Sequence, residues 1–359
     1  MVISVPFASL RTSPIDFVVG QEPDVEDSKD KFGRAYDLYM TLKPGLRDVG
    51  QRSQLLYGEC VICLERLDNG FLKVELPEQY GVNHGTYCLE HSVGYIKENE
   101  AQLINSFPTP THVINKDWAA IELDDGSMEL PMGTKLCLTS KSSNVYTVTL
   151  VDGRVGTINA EAVYQIQKQV AETEDQLRES IVLCAKKLIG GPYCWAGRSP
   201  DAVPGTHCMP SSNCTGLINL AYRACGLELS RRLLGMFLRS AKIEKGSQLK
   251  PGDLIFFEEP NQSDGLNHVL MYAGDNMIIE SCVQKGIFMR PSQEVFGKPV
   301  ATLCAGDTIT NTAYKNLIYF GSYLGDTLRI QFMRDYALGN CDVTRWVKDE
   351  HNQLNITGR

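Results

Sequence analysis

Apolar positions divide the chain into two regimes. From residue 54 onward apolar and polar residues alternate in short runs: SQLLYGECVICLER, GFLKVEL and VGYIKE, then HVINKDWAAIEL, MGTKLCLTS and VYTVTLVDGRVGTI. A period of two, interrupted by turn residues such as Asp68-Asn69-Gly70, predicts half-buried strands. The two sets share an order, so a weak repeat of about 60–70 residues predicts two small all-β barrels. The first strand is expected near residues 2–12. Polar sequence at about 20–52 reads as an insertion, with a possible short helix at KFGRAYDLYMTLK. The first barrel then spans 1–104 and the second 105–168.

At about residue 172 the period changes. In TEDQLRESIVLCAKKLIG, Leu177, Ile181, Val182, Cys184 and Leu188 fall at helical spacing. Thr173 is the expected N-cap, and Gly190-Gly191-Pro192 stop the helix. A second helix is expected from Cys214 to Ala224, stopped by Gly226. DLIFFEE, HVLMYAGD, MIIESCV, GIFMRP and LIYFGSYL follow as strands. Helices followed by strands predict an α+β domain over 172–325. Residues 326–359 fit neither pattern and are left as an extension without an assigned role.

Composition narrows the partners. The 359 residues carry a net charge of −8 with no long run of one sign, which argues against a nucleic-acid or membrane partner. No apolar run approaches a membrane span, and MVISVPFASLRTSP lacks the basic start and apolar core of a secretory signal. A cytoplasmic, monomeric protein with no cofactor is expected. In that setting the twelve cysteines are free thiols, most of them small buried hydrophobes.

One cysteine invites a different reading. Cys214 follows Ser211, Ser212 and Asn213, good capping residues, and so falls in a first helical turn. Unpaired N–H groups and the partial positive charge there favour a thiolate, the nucleophilic form. Cys214 also lies near the apolar face of Leu217, Ile218, Ala221, Tyr222 and Cys225, so a packed thiol remains open on position alone; Cys225 reads as core. A thiol needs an oriented base. His268, in the apolar strand LNHVLMYAGD, is the candidate, with a satisfied core histidine as the alternative. Glu280 falls in the next strand, where a hairpin can bring its carboxylate to the imidazole; an exposed edge position is its alternative.

A competing constellation is Cys60-x-x-Cys63 with Cys88-x-x-His91, which has tetrahedral zinc spacing. Cys60 and Cys63 are expected within one alternating strand, where residues three apart face opposite sides, and this argues against zinc. No metal is expected.

The stretches GPYCWAGRSP, NCTGLINLAYRACGLEL, LKPGDLIFFEE and NHVLMYAGDNMIIES, in this order over about 185–325, resemble the NlpC/p60 cell-wall peptidases. The resemblance implies a papain-like fold and a cysteine that cleaves amide bonds in peptidoglycan stem peptides, typically between the γ-carboxyl of D-glutamate and diaminopimelate or lysine. It implies Cys214, His268 and Glu280 as the catalytic set, and Tyr193 near the oxyanion, where its hydroxyl can donate to developing charge. Tyr193 packed on a structural Trp195 is its bland alternative. Cys194 and Cys208 are assigned to packing or loop. Two bacterial SH3-like barrels before such a domain resemble a branch that trims free stem peptides beginning with L-alanine.

This sequence departs from the family pattern at substrate-facing positions. Asn213 and Thr215 stand where the family has aspartate and serine, and Leu229-Ser230-Arg231-Arg232 replaces Leu-Pro-Arg-Asp. In the recycling branch those two aspartates help hold the free amine of L-alanine. Here both negative charges are missing, and Arg232 repels an ammonium if it points inward. No clear equivalent of the branch's second-barrel tyrosine occurs around Trp118-Ala119-Ala120; Asp201 and Asp264 are candidate substitutes for the lost acids. Glu280 stands where histidine, asparagine or glutamine is usual. The resulting expectation is a peptidase or amidase with altered amine recognition. Its alternatives are an inactive module binding a muropeptide or protein, and an amidase or acyltransferase effector acting on another amide.

Overall fold

The computed structural model describes residues 1–14, 51–82, 89–105, 109–167, 172–201, 211–259, 265–310, 316–339, 346–348 and 354–356. Most of the expected insertion, with its possible short helix, and also Cys88, Cys208 and Asp264, lie outside the described residues.

The N-terminal region is all-β. Five antiparallel strands, β1 (Phe7–Arg11), β2 (Gln51–Leu56), β3 (Ile62–Arg66), β4 (Phe71–Val82) and β5 (Leu89–Lys97), form a sheet ordered β2-β1-β5-β4-β3. Inward residues at alternate positions, Leu72, Val74 and Leu76 on β4 with Leu10, Leu55 and Ile96, make its core. The expected single strand SQLLYGECVICLER is broken. Gly58 takes φ +77° in a turn after Tyr57, and the chain resumes as the exposed edge strand β3. Cys60 therefore lies in the connection and only Cys63 on the strand, contrary to the placement used against zinc.

Five more strands, β6 (Trp118–Leu123), β7 (Gly126–Pro131), β8 (Leu138–Ser142), β9 (Val145–Thr149) and β10 (Val155–Asn159), form a second sheet ordered β7-β6-β10-β9-β8. A smaller sheet of Lys135–Leu136, His112–Ile114 and Val163–Gln165 closes against it over Ile114, Ile121, Val148 and Ile158.

The last unit is α+β. Helix α1 (Glu174–Lys187) begins at Thr173, whose hydroxyl accepts from the Gln176 amide while the Gln176 side chain returns to the Thr173 amide. Helix α2 (Cys214–Arg223) ends before Gly226 at φ +73°. A third helix, α3 (Leu233–Arg239), was not expected from the sequence. Its pattern is short, and both ends carry arginine.

The sheet joins β11 (Ala241–Ile243), β12 (Leu254–Glu258), β13 (Leu266–Gly274), β14 (Met277–Cys282), β15 (Gly286–Pro291) and β16 (Asn316–Ser322) in the order β11-β16-β12-β13-β14-β15; Thr308–Ile309 pairs with β16. Helices α1 and α2 pack on one face through Ile181, Leu217, Ile218, Phe256, Val269, Met271 and Ile279. Helix α4 (Ser292–Phe296) covers the other through Val295 and Phe296 against Ile255, Leu270 and Ile278. Both faces are thus buried, which explains why β12, β13 and β14 read as nearly continuous apolar runs.

The unassigned C-terminal extension contains helix α5 (Thr327–Ala337), capped by Asp326. It lies across the other units: Phe332 packs with Val82 of β4, and Tyr336 meets Tyr80 edge-on at 4.9 Å. Lys135 donates to the Ala337 carbonyl at 2.8 Å, so the second β unit also touches this helix.

A network of buried charge joins the units. Arg198 pairs with Glu59, and its other amino group reaches Asn219 at 3.1 Å. Arg223 pairs with Glu228, with Glu59 at 2.9 Å and with Glu78 at 3.1 Å, while Lys135 meets Glu78 at 2.5 Å. Glu59 and Glu78 come from the first β unit, Lys135 from the second, and the rest from the α+β unit.

Candidate active site

Cys214 is the first residue of α2, 8% exposed. Asn213 caps the helix: its side-chain oxygen accepts the Gly216 amide at 2.9 Å and the Thr215 hydroxyl at 3.2 Å. The His268 ring and the backbone amides of Thr215 and Val269 all bear electrostatically on the Cys214 sulfur. Burial opposes its ionisation, but the hydrogen bond and charge of His268 outweigh that and lower its pKa.

His268 sits near the start of β13, opposite Phe257 of β12. The β13–β14 register, Met271 opposite Ile279 and Tyr272 opposite Ile278, sets Glu280 diagonally across from it. The His268 Nε2 lies 3.1 Å from Glu280 Oε2, which leaves Nδ1 for the thiol. Burial works against the imidazolium, yet Cys214 and Glu280 together push the ring up to about 10. Glu280 is 3% exposed; burial disfavours its charge, and His268 and Arg290 more than compensate, lowering its pKa. The arrangement places a thiol, an imidazole and a carboxylate in series, a geometry that suits a nucleophile with an oriented base.

The facing wall is the turn from Tyr193 to Ser199. Tyr193 is half-buried on it. The Asn213 amide reaches the Gly197 carbonyl at 3.4 Å, and a Cβ on Gly216 would stand 1.9 Å from that oxygen. The glycine two residues after the cysteine is therefore required by close packing.

Two residues carry this site without having been singled out in the sequence. Arg231, 5% exposed, donates to the Ala196 carbonyl at 2.7 Å, to Thr215 Oγ1 at 2.9 Å and to Ser53 Oγ of β2 at 2.9 Å. It holds Ala196 in a left-handed conformation, φ 56°, that alanine rarely adopts. Burial and nearby Arg198 bring its guanidinium down to about 9, so it is charged at neutral pH. Arg290 of β15 meets Glu280 Oε1 at 2.5 Å. An arginine at alternate register from a buried acid was a usable sequence signal.

The other expected residues are placed as follows. The Thr215 hydroxyl is engaged by Asn213 and Arg231. Arg232 does not enter the Cys214 cluster: it pairs with Glu90 of β5 at 3.3 Å and lies against Gly81. The two arginines form a bend ahead of α3, from which their side chains diverge, and Arg231 takes the inward direction. Trp118 donates to the Asp201 backbone carbonyl at 2.9 Å, and Gln51 to the Trp195 carbonyl at 2.9 Å, so the first β unit touches the facing wall and the second the segment just beyond it. Cys194 is half-buried beside Gln51, and Cys225 is fully buried, 3.9 Å from Cys184. The nine cysteines among the described residues are free.

In the zinc constellation, the Cys60 amide donates to Glu78 at 3.0 Å, Cys63 is exposed, and His91 Nδ1 lies 2.6 Å from Glu75. Among the described residues no three metal-ligating side chains cluster, and no helix is long and apolar enough to cross a membrane.

A capped helix presenting a thiol to a histidine strand defines an α+β domain of the cysteine–histidine class. The sequence profile of the NlpC/P60 family matches residues 190–306, and the chain carries a domain of that family. A crystal structure of an NlpC/P60 family protein from Bacillus cereus superposes with a TM-score of 0.62 at 20% identity, over 81% of this chain and 93% of that one, which shows a shared fold. A dipeptidyl-peptidase 6 of Lysinibacillus sphaericus is 24% identical over 64% of this chain and 79% of its own length. A gamma-D-glutamyl-L-lysine dipeptidyl-peptidase of Bacillus cereus is 26% identical over 52% of this chain and 51% of its own. A probable endopeptidase p60 of Listeria grayi is 28% identical over 35% of this chain, which spans 22% of that protein.

Proposed function

We propose that this protein is a cysteine peptidase of peptidoglycan stem peptides, cleaving the amide between the γ-carboxyl of D-glutamate and diaminopimelate or lysine. The observation that carries the reading is the series Cys214, His268 and Glu280, closed by the 3.1 Å contact. The Cys214 thiolate attacks the scissile carbonyl. Tyr193 and backbone amides at the start of α2 stabilise the oxyanion. His268 gives its proton to the leaving amine, then removes one from the water that hydrolyses the acyl-enzyme. The named activities of the relatives support the substrate class. The two β units are read as SH3-like barrels that supply part of the substrate cleft through β2 and Trp118.

The cleft does not select a free amine. Asn213 is neutral and caps its helix, Arg231 is a buried cation, and Arg232 is occupied by Glu90. A recycling-type pocket surrounds an ammonium with carboxylates, each charge-assisted bond contributing ~1.5–3 kcal/mol. Without them, L-Ala-γ-D-Glu-diaminopimelate and its N-acetylated form are expected to be cleaved at rates within about tenfold of each other. Mass spectrometry of the products checks this. A preference of a hundredfold or more for the free amine would mean that another acid has rebuilt the pocket.

The protonation states give a second expectation. Iodoacetamide should label Cys214 selectively at pH values below the range of an ordinary thiol, because the imidazolium stabilises the thiolate. A raised histidine pKa means the proton is held below that value and lost above it, so the ion pair should persist to about pH 10. Peptide mapping across pH reads the outcome. If Cys214 labels no faster than the exposed Cys63, the protein is a binding module that retains the fold.

A further inference from the structure

The thiol, imidazole and carboxylate do not end at Glu280. The Glu280 carboxylate is buried in the β14 interior, and each of its oxygens has one cationic neighbour. Oε2 faces His268 at 3.1 Å from β13, and Oε1 faces Arg290 at 2.5 Å from β15. The antiparallel register explains the second contact: Glu280 lies opposite Phe288 and Ile278 opposite Arg290, so Arg290 reaches diagonally along the ladder. Its guanidinium lies over the Phe288 ring, 5.3 Å from the centroid, which fixes the side chain at the edge of the sheet. Cys282, two residues along β14, also lies in the electrostatic field of Glu280 and His268, and Cys214 lies beyond the imidazole.

We propose that Arg290 is a positioning residue of the active site, which acts through Glu280 to fix the carboxylate plane and to set the charge balance of the Cys214–His268 pair. The inference rests on the catalytic reading of those residues. A neutral third residue, as is usual in the family pattern, needs no counter-charge. A carboxylate does: alone in this position it would add uncompensated negative charge behind the imidazole. The histidine would then hold its proton more tightly, and the thiolate would form less readily. Arg290 shares that charge. Its removal therefore shifts proton loss from both Cys214 and His268 to higher pH, and it frees Oε1 so that Glu280 can turn away from Nε2.

The test is the pH dependence of Cys214 alkylation by iodoacetamide in the full chain, read by peptide mapping from pH 4 to pH 10. It needs no substrate. Arg290→Gln is expected to move the acid limb up by about half to one unit, so that labelling one unit below the wild-type limb falls several-fold. Arg290→Lys should restore most of the shift. The shift should keep its sign but shrink when Glu280 is neutral. In Glu280→Gln the direct charge of Arg290 still acts but its hold on the carboxylate is gone, so adding Arg290→Gln should move the acid limb up by clearly less than it does in the wild type. An equal shift in both backgrounds would show an arginine that does not act through Glu280, and would overturn the inference. An Arg290→Gln profile that overlays the wild type, with wild-type Cys214 labelling fast, overturns this inference alone. Slow labelling of Cys214 in the wild type overturns the catalytic reading and this inference together. Should Arg290→Gln fail to fold, the lysine variant and the double variant carry the same comparison.

Discussion

Cys214→Ala is expected to abolish hydrolysis of stem peptides, with a loss on the order of 10⁴-fold or more, while the fold survives. The substitution removes one sulfur at a position 8% exposed and leaves the helix cap on Asn213 untouched. His268 then loses its partner and can become neutral, so no buried charge is stranded. His268→Ala should be nearly as damaging, because the thiolate loses its counter-ion and the leaving amine its acid. Glu280→Ala should cost less, on the order of 10²-fold, since it orients the base without touching substrate. Product formation by mass spectrometry, with circular dichroism as the control for folding, checks the set. A clean Cys214→Ala preparation with activity near wild type would remove Cys214 from the mechanism.

The largest effect on stability is expected at Arg223→Ala. This guanidinium is 1% exposed and stands among Glu59, Glu78 and Glu228, with its Nε on the Gly133 carbonyl at 2.8 Å. Removing it leaves three buried or nearly buried carboxylates with too few cations. Breaking a buried pair in this way costs about 3–5 kcal/mol. The three units meet at this residue, so the loss should also separate their unfolding. Urea denaturation followed by tryptophan fluorescence, at several pH values, measures it; a loss under about 1 kcal/mol would show that the network contributes little.

Acid should weaken the same joint in the wild type. Burial opposes the charge of Glu78, but Lys135 and Arg223 dominate and hold its carboxyl at about 2. A depressed carboxylate stabilises the folded state above its unfolded pKa. That contribution is lost as pH falls from about 4.5 towards 2.

Much of the α+β unit was legible because its signals are local. Thr173 and Gly190 bound α1, Asn213 and Gly226 bound α2, and long apolar runs mark strands buried on both faces. Helix α5 is not legible because Phe332, Met333 and Tyr336 are interrupted by charged residues, and its apolar stripe is completed by distant partners: Phe332 with Val82 and Tyr336 with Tyr80 of β4, and Met333 in the core under α1 and α2. The break after Tyr57 was missed because a single glycine inside an alternating run does not announce a turn.

The sequence alone determined that a cysteine starts a capped helix and that a histidine and an acid lie on neighbouring strands. Those facts depend on spacing within one segment. The tertiary structure decided which of two adjacent arginines enters the site, since Arg231 and Arg232 differ only in direction on leaving the chain. It also decided that Arg290 completes the carboxylate, through a diagonal register that no local pattern encodes. The buried charges joining Glu59, Glu78, Lys135 and Arg223 come from segments far apart in the chain, and only packing could show which of them meet.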